Sequence, residues 1–391
     1  MYPNIYELVL DLFGVSIPPL KLMQSYGTMV ALGFIFTAIT LTYELKRKER
    51  EGLLSTTKKK VWEGKGMPLM DKILNVLFGF LAGFKLLPLF SNFEAISKDL
   101  GGFLLSAQGN LVAGIVLGGG ILGWIIYKEK TSKTEPKEVE IEVHAHEHVG
   151  NMIVLAAIGG IGGAKLFHNL ENIDEMMADP IGALTSFSGL SFFGGLICAA
   201  GMIVYYARRK NIQVLHLVDS TMPGLAMAYG FGRMGCQVAG DGDWGIPNDN
   251  PKPDWLSWLP DWAWAYDYPN NVLDPAHRGT EFMIDYYTRH GYDSLKGLAY
   301  PTPIYEIIMS IIIFAFLWSM RKRWKTPGVM MSWYLVLTGI ERLLIEQIRI
   351  NNEYPILGGI TQAEIISVLL IVAGFAGVYY MPKVGERWAK W

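Results

Sequence analysis

The stretch Gly230-Phe231-Gly232-Arg233-Met234-Gly235-Cys236-Gln237 places an arginine at the end of an apolar run, residues 216–232. A second arginine, Arg342, lies inside the apolar stretch Val329–Ile350. A guanidinium at membrane depth costs at least about 2.5–3.5 kcal/mol on insertion scales, so such groups usually face a polar cavity and carry function. Because the planar guanidinium binds phosphate or carboxylate well, the sequence predicts a membrane protein that binds an anionic group. A phosphate is the favoured anion.

The composition is that of a polytopic helical membrane protein. Of the 391 residues, 51% are hydrophobic and 18% are charged, which argues against a soluble enzyme or a β-barrel. The net charge of −2 argues against a general nucleic-acid binder. Cys198 and Cys236 lie in or beside apolar segments, which favours two buried thiols over a disulfide. No cleavable signal peptide is expected, since the first residues lack a basic region.

Nine apolar segments come close to the roughly 20 residues that a membrane helix needs. They are residues 22–44, 71–91, 108–127, 151–169, 189–207, 213–232, 303–320, 328–348 and 361–380. Lysine and arginine are concentrated after the first, third, fifth, seventh and ninth segments. Since cytoplasmic loops carry the excess of basic residues, the N-terminus is predicted outside and the C-terminus in the cytoplasm.

This topology divides the chain into six segments. They are a first transmembrane helix with its basic cytoplasmic loop (1–70), a helix pair (71–130), a charged cytoplasmic linker (131–150), a core with Arg233 (151–240), an outer loop (241–300) and a C-terminal core with Arg342 (301–391). The outer loop is rich in Asp, Pro, Trp and Tyr, and we expect it to fold as a small head or lid. In the linker, His144, His146 and His148 alternate without a supporting fold, so a solvated loop is favoured over a metal site.

Residues 79–130 resemble residues 159–210 at a constant offset. The matching pairs are Gly79 and Gly159, Lys85 and Lys165, Asn92 and Asn172, and Gly109 and Gly189. A helix pair that enters and leaves on the same side can be duplicated without inverting the later helices. The pattern favours a duplicated pair; the alternative is chance similarity between glycine-rich apolar helices.

Arg342, Glu346 and Arg349 are spaced i, i+4 and i+7, so they share one face of a helix. A self-neutralising ion-pair ladder that docks this helix would show the same spacing. Under the predicted topology, however, this end of the helix and Arg233 both lie near the outer leaflet. We therefore expect both arginines to converge on one phosphate.

The order of the motifs resembles that of prolipoprotein diacylglyceryl transferases. The run Gly232–Gln237 with Gly240-Asp241 and Trp244-Gly245 is similar to the family signature, in which Gly-Arg-x-Gly-Asn leads to an acidic residue and Trp-Gly. Other helices of the family resemble, in order, Gln24–Gly27, Gly162–Lys165, Phe192–Leu196, Pro301–Glu306 and Glu341–Arg349. The resemblance covers most of the chain outside residues 71–150.

The resemblance implies an all-α polytopic protein of the bacterial cytoplasmic (inner) membrane. A seven-helix core with an extracytoplasmic head would be enlarged by the extra pair to about nine transmembrane helices. The implied reaction moves the diacylglyceryl group of phosphatidylglycerol to the lipobox cysteine thiol of a prolipoprotein signal peptide, and releases glycerol phosphate. The implied partners are these substrates and membrane lipid, with no nucleic acid. No motif requires a metal or an organic cofactor.

The resemblance also assigns the candidate site residues. The candidate catalytic residues are Arg233, Arg342, Glu346, Tyr26 and Asp241, and the candidate substrate-binding residues are Gly235, Cys236, Gly194, Gly195, Tyr305, Glu306 and Arg349. The arginines would hold the leaving phosphate, and Glu346 or Asp241 would orient them. An extra residue precedes Trp244-Gly245, so Asp243 is the alternative to Asp241.

Two departures from the family pattern bear on function. Phe193 stands where the family often has a histidine, a candidate base for the thiol, and Cys236 replaces an asparagine. If the guanidinium groups lower the pKa of the substrate thiol, no dedicated base is needed. His168 is the candidate for a substitute base. Both departures favour the alternative of a non-catalytic phospholipid- or lipoprotein-binding scaffold. An anion transporter is a third class, but clear paired discontinuous helices are missing.

Overall fold

The computed structural model describes residues 1–63, 66–96, 102–103, 106–131, 137–185, 191–273, 298–351, 353–354 and 359–388. The main helices are α1 (Ile5–Phe13), α2 (Ser25–Arg50), α3 (Leu69–Ser91), α4 (Leu111–Thr131), α5 (Val149–Glu171), α6 (Phe192–Arg209), α7 (Val214–Ala239), α8 (Thr302–Met320), α9 (Val329–Glu346) and α10 (Gln362–Trp388). Short helices are Pro18–Leu22, Phe93–Ile96, Ala145–His148, Ile173–Ala178, Pro180–Thr185, Asp254–Leu256 and Asp261–Ala263. Strands β1 (Thr57–Glu63) and β2 (Lys137–Val143) pair antiparallel, as do β3 (Glu353–Tyr354) and β4 (Ile360–Thr361).

Six helical segments of the described chain are long and apolar enough to cross a membrane. They are Ser25–Arg50, Leu69–Ser91, Leu111–Thr131, Ala145–Glu171, Thr302–Met320 and Gln362–Trp388. A helix lies at each of the nine predicted spans, but α6, α7 and α9 do not combine the length and the apolar composition that a membrane span needs. A mostly helical, polytopic membrane architecture is therefore confirmed, and the count of nine spans stays a prediction.

The chain forms two compact units. The first comprises Met1–Ser55, Ala145–Ile153 and Val204–Trp391, and the second comprises Thr56–His144 and Val154–Ile203. Both arginine motifs belong to the first unit. The division into six segments stays a prediction.

In the first unit, α7 packs against α2, α8 and α9. Small residues allow the close approach of α2: a Cβ on Gly33 would lie 3.3 Å from the backbone of Ala228. Thr37 also donates its hydroxyl to the carbonyl of Gly224 at 3.1 Å. Because three helices surround α7, the position of Arg233 near its end is fixed by packing.

A buried carboxylate caps the start of α9. Asp219, which is 3% exposed, accepts the N–H of Gly328 at 2.8 Å and that of Met331 at 2.9 Å. The first N–H groups of a helix have no partner within the helix, and the positive end of its dipole favours an anion. Asp219 thus joins α7 to the helix that carries Arg342.

Replacing Asp219 with alanine is expected to destabilise the fold by about 2 kcal/mol, because two buried N–H groups lose their acceptor. Thermal unfolding in detergent measures the effect. Asp261→Ala is the matched control, since the side chain of Asp261 is 94% exposed. An Asp219→Ala protein that unfolds at the same temperature as the control would contradict a capping role.

The bounds of α3 and α5, Leu69–Ser91 and Val149–Glu171, differ by 80 at both ends. Each helix packs against the next long helix through glycine. A Cβ on Gly83 would collide with the carbonyl of Ala113 in α4, and a Cβ on Gly163 would collide with that of Gly194 in α6. The equal bounds and similar packing support the duplication, which stays a prediction.

The linker contains a strand where a solvated loop was expected. In its pairing with β1, Lys58 faces Glu142 and Lys60 faces Glu140. Opposite charges on facing strands stabilise a pair, and the alternation of Glu with Val and Ile along β2 suits a strand. The loop prediction is therefore wrong for residues 137–143, and residues 132–136 lie outside the described chain. After β2, His148 hydrogen-bonds the Tyr206 hydroxyl through its Nδ1, at 2.8 Å.

The outer loop is described over residues 241–273 and 298–300. Trp244 and Tyr268, each 2% exposed, stack with ring centroids 4.6 Å apart and pack with Ala299 and Ile350. This part of the loop thus has a small core of its own, as a head or lid needs. Its extracytoplasmic location and the complete head stay predictions.

Candidate anion-binding site

Glu306, on α8, is the centre of a cluster of charges and is fully buried. Its Oε1 atom lies 3.6 Å from Nε of Arg233, 3.8 Å from Nη1 of Arg342 and 3.3 Å from Nη1 of Arg349. Three guanidinium groups therefore meet at one carboxylate oxygen. Arg233 and Arg342, which come from α7 and α9, lie close together, as a shared phosphate site requires.

Asp243 is a second carboxylate of the cluster and bridges two of the arginines. Its Oδ2 contacts Arg233 and its Oδ1 contacts Arg349. Burial acts to raise the pKa of Asp243, but the charges of Arg349 and Arg233 outweigh it and hold this pKa below its ordinary value. Asp243 is therefore an anion held in place by two cations.

Backbone contacts fix the segment that carries Asp243. The carbonyl of Asp243 accepts the Thr302 hydroxyl at 2.7 Å, and the N–H of Gly245 donates to Tyr300 at 2.9 Å. Gly242 has a φ of +93°, which only glycine adopts without strain, and this turn places Asp243 rather than Asp241 against the arginines. Asp241 instead accepts the N–H of Asp243, at 3.4 Å.

Glu346 positions Arg342. Its Oε2 lies 3.0 Å from Nη2 of Arg342, as the four-residue spacing predicted. The prediction that Arg349 shares this helix face is wrong, because α9 ends at Glu346 and Arg349 follows it. The other oxygen of Glu346 accepts the Asn351 amide at 2.7 Å and the Thr361 hydroxyl at 2.6 Å. Because Glu346 is anchored from β4, it can hold the Arg342 guanidinium in one orientation.

Tyr229, which the motifs did not single out, belongs to the cluster. Its hydroxyl donates to Oε1 of Glu306 and lies 3.5 Å from Oε1 of Glu341. The guanidinium of Arg233 lies over the Tyr229 ring, 5.1 Å from its centroid. The signal that could have found Tyr229 is its position four residues before Arg233 on the same helix.

Cys236 lies beside this cluster. It is a free, buried thiol, whereas Cys198 is free and half-buried. The Sγ atom of Cys236 is 3.4 Å from Oδ2 of Asp243 and 3.7 Å from Nη1 of Arg233. Burial raises the pKa of the neighbouring Asp241, and the negative charge of Asp243 raises it further. Distances alone would let Cys236, Asp241 and Asp243 share a metal ion, but two arginines already hold Asp243 and disfavour a cation there.

Tyr26 and Gly235 pack against each other at this end of α7. A Cβ on Gly235 would lie 3.0 Å from Cδ2 of Tyr26 and 3.1 Å from its Cα. Gly235 therefore permits α2 to approach α7 closely. Tyr305, by contrast, donates its hydroxyl to the carbonyl of Ala263 at 3.0 Å, so it anchors the outer loop.

The other candidate residues belong to the second unit. Gly194 and Gly195 contact α5, where a Cβ on either would collide with backbone or side chain. His168 hydrogen-bonds Asn172 one turn later, with the two side-chain nitrogens 3.2 Å apart. The side chain of Phe193 lies outside the described residues. The roles predicted for these glycines and for His168 stay predictions.

The cluster has a closed side and an open side. The Glu306 side chain is 0% exposed, whereas those of Arg342 and Asp243 are 26% and 31% exposed. A partly exposed guanidinium group can bind a phosphate, and it can stabilise the charge that develops as the phosphate leaves. Fold and site together define a polytopic membrane protein with a cluster of three arginines and three carboxylates between its helices.

The comparisons identify the family. Residues 111–380 match the family of prolipoprotein diacylglyceryl transferases, and the chain belongs to it. The matched range includes α4, one helix of the predicted extra pair.

Relatives from several bacteria carry the name phosphatidylglycerol–prolipoprotein diacylglyceryl transferase. The chain is 26% identical over 262 residues to the one from Clostridium tetani, and this alignment covers 67% of the chain and 89% of the relative. It is 24% identical over 288 residues to the one from Leptospira interrogans, with 61% of the chain and 81% of the relative covered. It is 23% identical over 283 residues to the one from Dehalococcoides mccartyi, with 72% of the chain and 90% of the relative covered.

Proposed function

We propose that this chain transfers the diacylglyceryl group of phosphatidylglycerol to the lipobox cysteine thiol of prolipoproteins, forming a thioether. The observation that carries the proposal is the convergence of Arg233, Arg342 and Arg349 on Glu306. Family membership and the names of the relatives give the substrates. The chain is thus an enzyme of lipoprotein maturation.

The reaction is a substitution at a glycerol carbon. The thiol sulfur attacks the carbon that bears the phosphate, and a phosphate monoester leaves. The leaving group gains negative charge, so the transition state is stabilised by cations that are already in place. Arg342, oriented by Glu346, and Arg233 act on the phosphate. Glu306 is a positioning residue, because one buried oxygen holds all three guanidinium groups together.

The enzyme works in the bacterial inner membrane. Six apolar helices and the family support this location. The finer topology has nine spans, the N-terminus outside and the C-terminus in the cytoplasm, with residues 241–300 as an extracytoplasmic head. The distribution of lysine and arginine along the sequence supports that orientation.

The purified chain in phosphatidylglycerol liposomes is expected to convert a lipobox peptide to the thioether and to release glycerol phosphate. Mass spectrometry of the peptide and an assay of the released phosphate ester measure both products. A peptide with serine in place of the lipobox cysteine and liposomes without phosphatidylglycerol are the controls. Peptide and lipid binding without any thioether would instead favour a non-catalytic scaffold.

A further inference from the structure

The arginine cluster is already neutralised. Three guanidinium groups are in ion contact with three carboxylates, those of Glu306, Asp243 and Glu346. A phosphate diester that enters brings a further negative charge into a partly buried site, where unbalanced charge is costly. Binding is favourable if one carboxylate leaves its place to the phosphate.

Asp243 is the carboxylate that can move. The side chains of Glu306 and Glu346 are 0% and 1% exposed, and Glu346 is tied to Asn351 and Thr361. The Asp243 side chain is 31% exposed. Because Thr302 holds only the backbone carbonyl of Asp243, the carboxylate can rotate away while the loop stays in place.

The same carboxylate lies within reach of a thiol. Sγ of Cys236 is 3.4 Å from Oδ2 of Asp243, which is a hydrogen-bond distance for sulfur. A thiol can therefore donate a hydrogen bond to this carboxylate, which is the geometry that a proton transfer from sulfur needs. The sequence left open which group takes the thiol proton of the substrate, since Phe193 replaces the histidine of the family pattern.

We infer that Asp243 is a general base released by the substrate: the lipid phosphate replaces it on Arg233 and Arg349, and the freed carboxylate accepts the thiol proton of the preprotein. This inference rests on the proposed function. It couples the two substrates, because the base becomes available when the lipid is bound.

The groups that face Asp243 explain the coupling. They are Arg233 and Cys236 of α7, Arg349 after α9, Tyr26 of α2, and Asp241 on its own loop. In the free enzyme the two arginines hold the pKa of Asp243 below its ordinary value. Exchanging them for a nearby phosphate removes attraction and adds repulsion, so the pKa rises and the carboxylate becomes a better base.

The step balances in atoms and charge. The thiol proton passes to Asp243, and the sulfur forms a bond to the glycerol carbon. The bond from that carbon to the phosphate oxygen breaks, and its electron pair stays on the oxygen. The singly charged diester gives a neutral thioether lipid and a doubly charged phosphate monoester. After the monoester leaves, Asp243 gives its proton to water and returns to the arginines.

Asp243→Asn is expected to separate binding from turnover. The amide has the shape of the carboxylate without its charge, so short-chain phosphatidylglycerol should bind no more weakly, by calorimetry in detergent. Turnover of the lipobox peptide should fall by about 10³-fold, in the range of general-base catalysis. Asp261→Asn makes the same exchange on the outer loop and should match the unmodified chain. Loss of lipid binding together with turnover would contradict the inference.

A selenocysteine peptide tests the base directly. A selenol is mostly ionised at neutral pH and needs no base, so Asp243→Asn should turn this peptide over at close to the unmodified rate. Equal losses with thiol and selenol peptides would show a structural role and overturn the inference. If the unmodified chain forms no thioether, the proposed function fails. If the unmodified chain is active and Asp243→Asn retains its rate with the thiol peptide, this inference alone fails.

Discussion

Replacing Arg342 with alanine is expected to lower the rate of thioether formation by about 10³–10⁴-fold, with the protein still folded. A guanidinium aimed at a leaving phosphate contributes effects of this order. The Arg342 side chain is 26% exposed, and its partner Glu346 keeps the Asn351 and Thr361 hydrogen bonds. The loss should therefore fall on turnover. Initial rates with a lipobox peptide in phosphatidylglycerol liposomes measure it.

Two further variants make this prediction specific. Arg342→Lys keeps the charge but loses the planar fork, so its rate should lie between those of alanine and the unmodified chain. Arg209→Ala removes an arginine from the end of α6, where it donates to Tyr205, and should leave the rate unchanged. Full activity in Arg342→Ala would rule out its role on the phosphate.

Glu306→Gln is expected to reduce both stability and activity. The substitution keeps the size of the side chain but leaves three guanidinium groups without their shared anion. Breaking a buried ion network in this way costs about 3–5 kcal/mol. The arginines should also separate, so thioether formation should become undetectable. Thermal unfolding in detergent and the peptide assay measure the two effects.

A second substitution distinguishes charge imbalance from a general packing defect. Removing one cation in the Glu306→Gln/Arg349→Gln double variant should recover part of the lost stability, because two guanidinium groups repel less than three. Activity should not return, since the negative charge that positions the arginines is still absent. If the two losses of stability simply add, the charges are not coupled and Glu306 is not the centre of the cluster.

The helices could be predicted because the bilayer constrains them strongly. In lipid every backbone polar group must be satisfied within the segment, so a long apolar run becomes a helix whatever surrounds it. A helix lies at each of the nine predicted segments. In the described chain, six helical segments are long and apolar enough to cross a membrane. The strand at residues 137–143 was missed, because its partner lies in β1, far away in the sequence.

Local spacing also predicted part of the site. Arg342 and Glu346, four residues apart on one helix, form the expected ion pair. The arginines themselves were evident from their cost in an apolar setting. Glu306 was expected only among the substrate-binding residues, because nothing in the sequence shows that one oxygen meets three arginines.

By itself, then, the sequence determined where the helices lie and which family the motifs resemble, and it predicted that arginines among the helices bind an anion. The tertiary structure decided which carboxylate meets which arginine. Asp243 and Arg349 are 106 positions apart, and Asp241 has the same charge as Asp243. Attraction between charges does not distinguish two acids so close in sequence. The turn at Gly242 and the packing of α7 against α8 and α9 do, because they fix which carboxylate reaches the cluster.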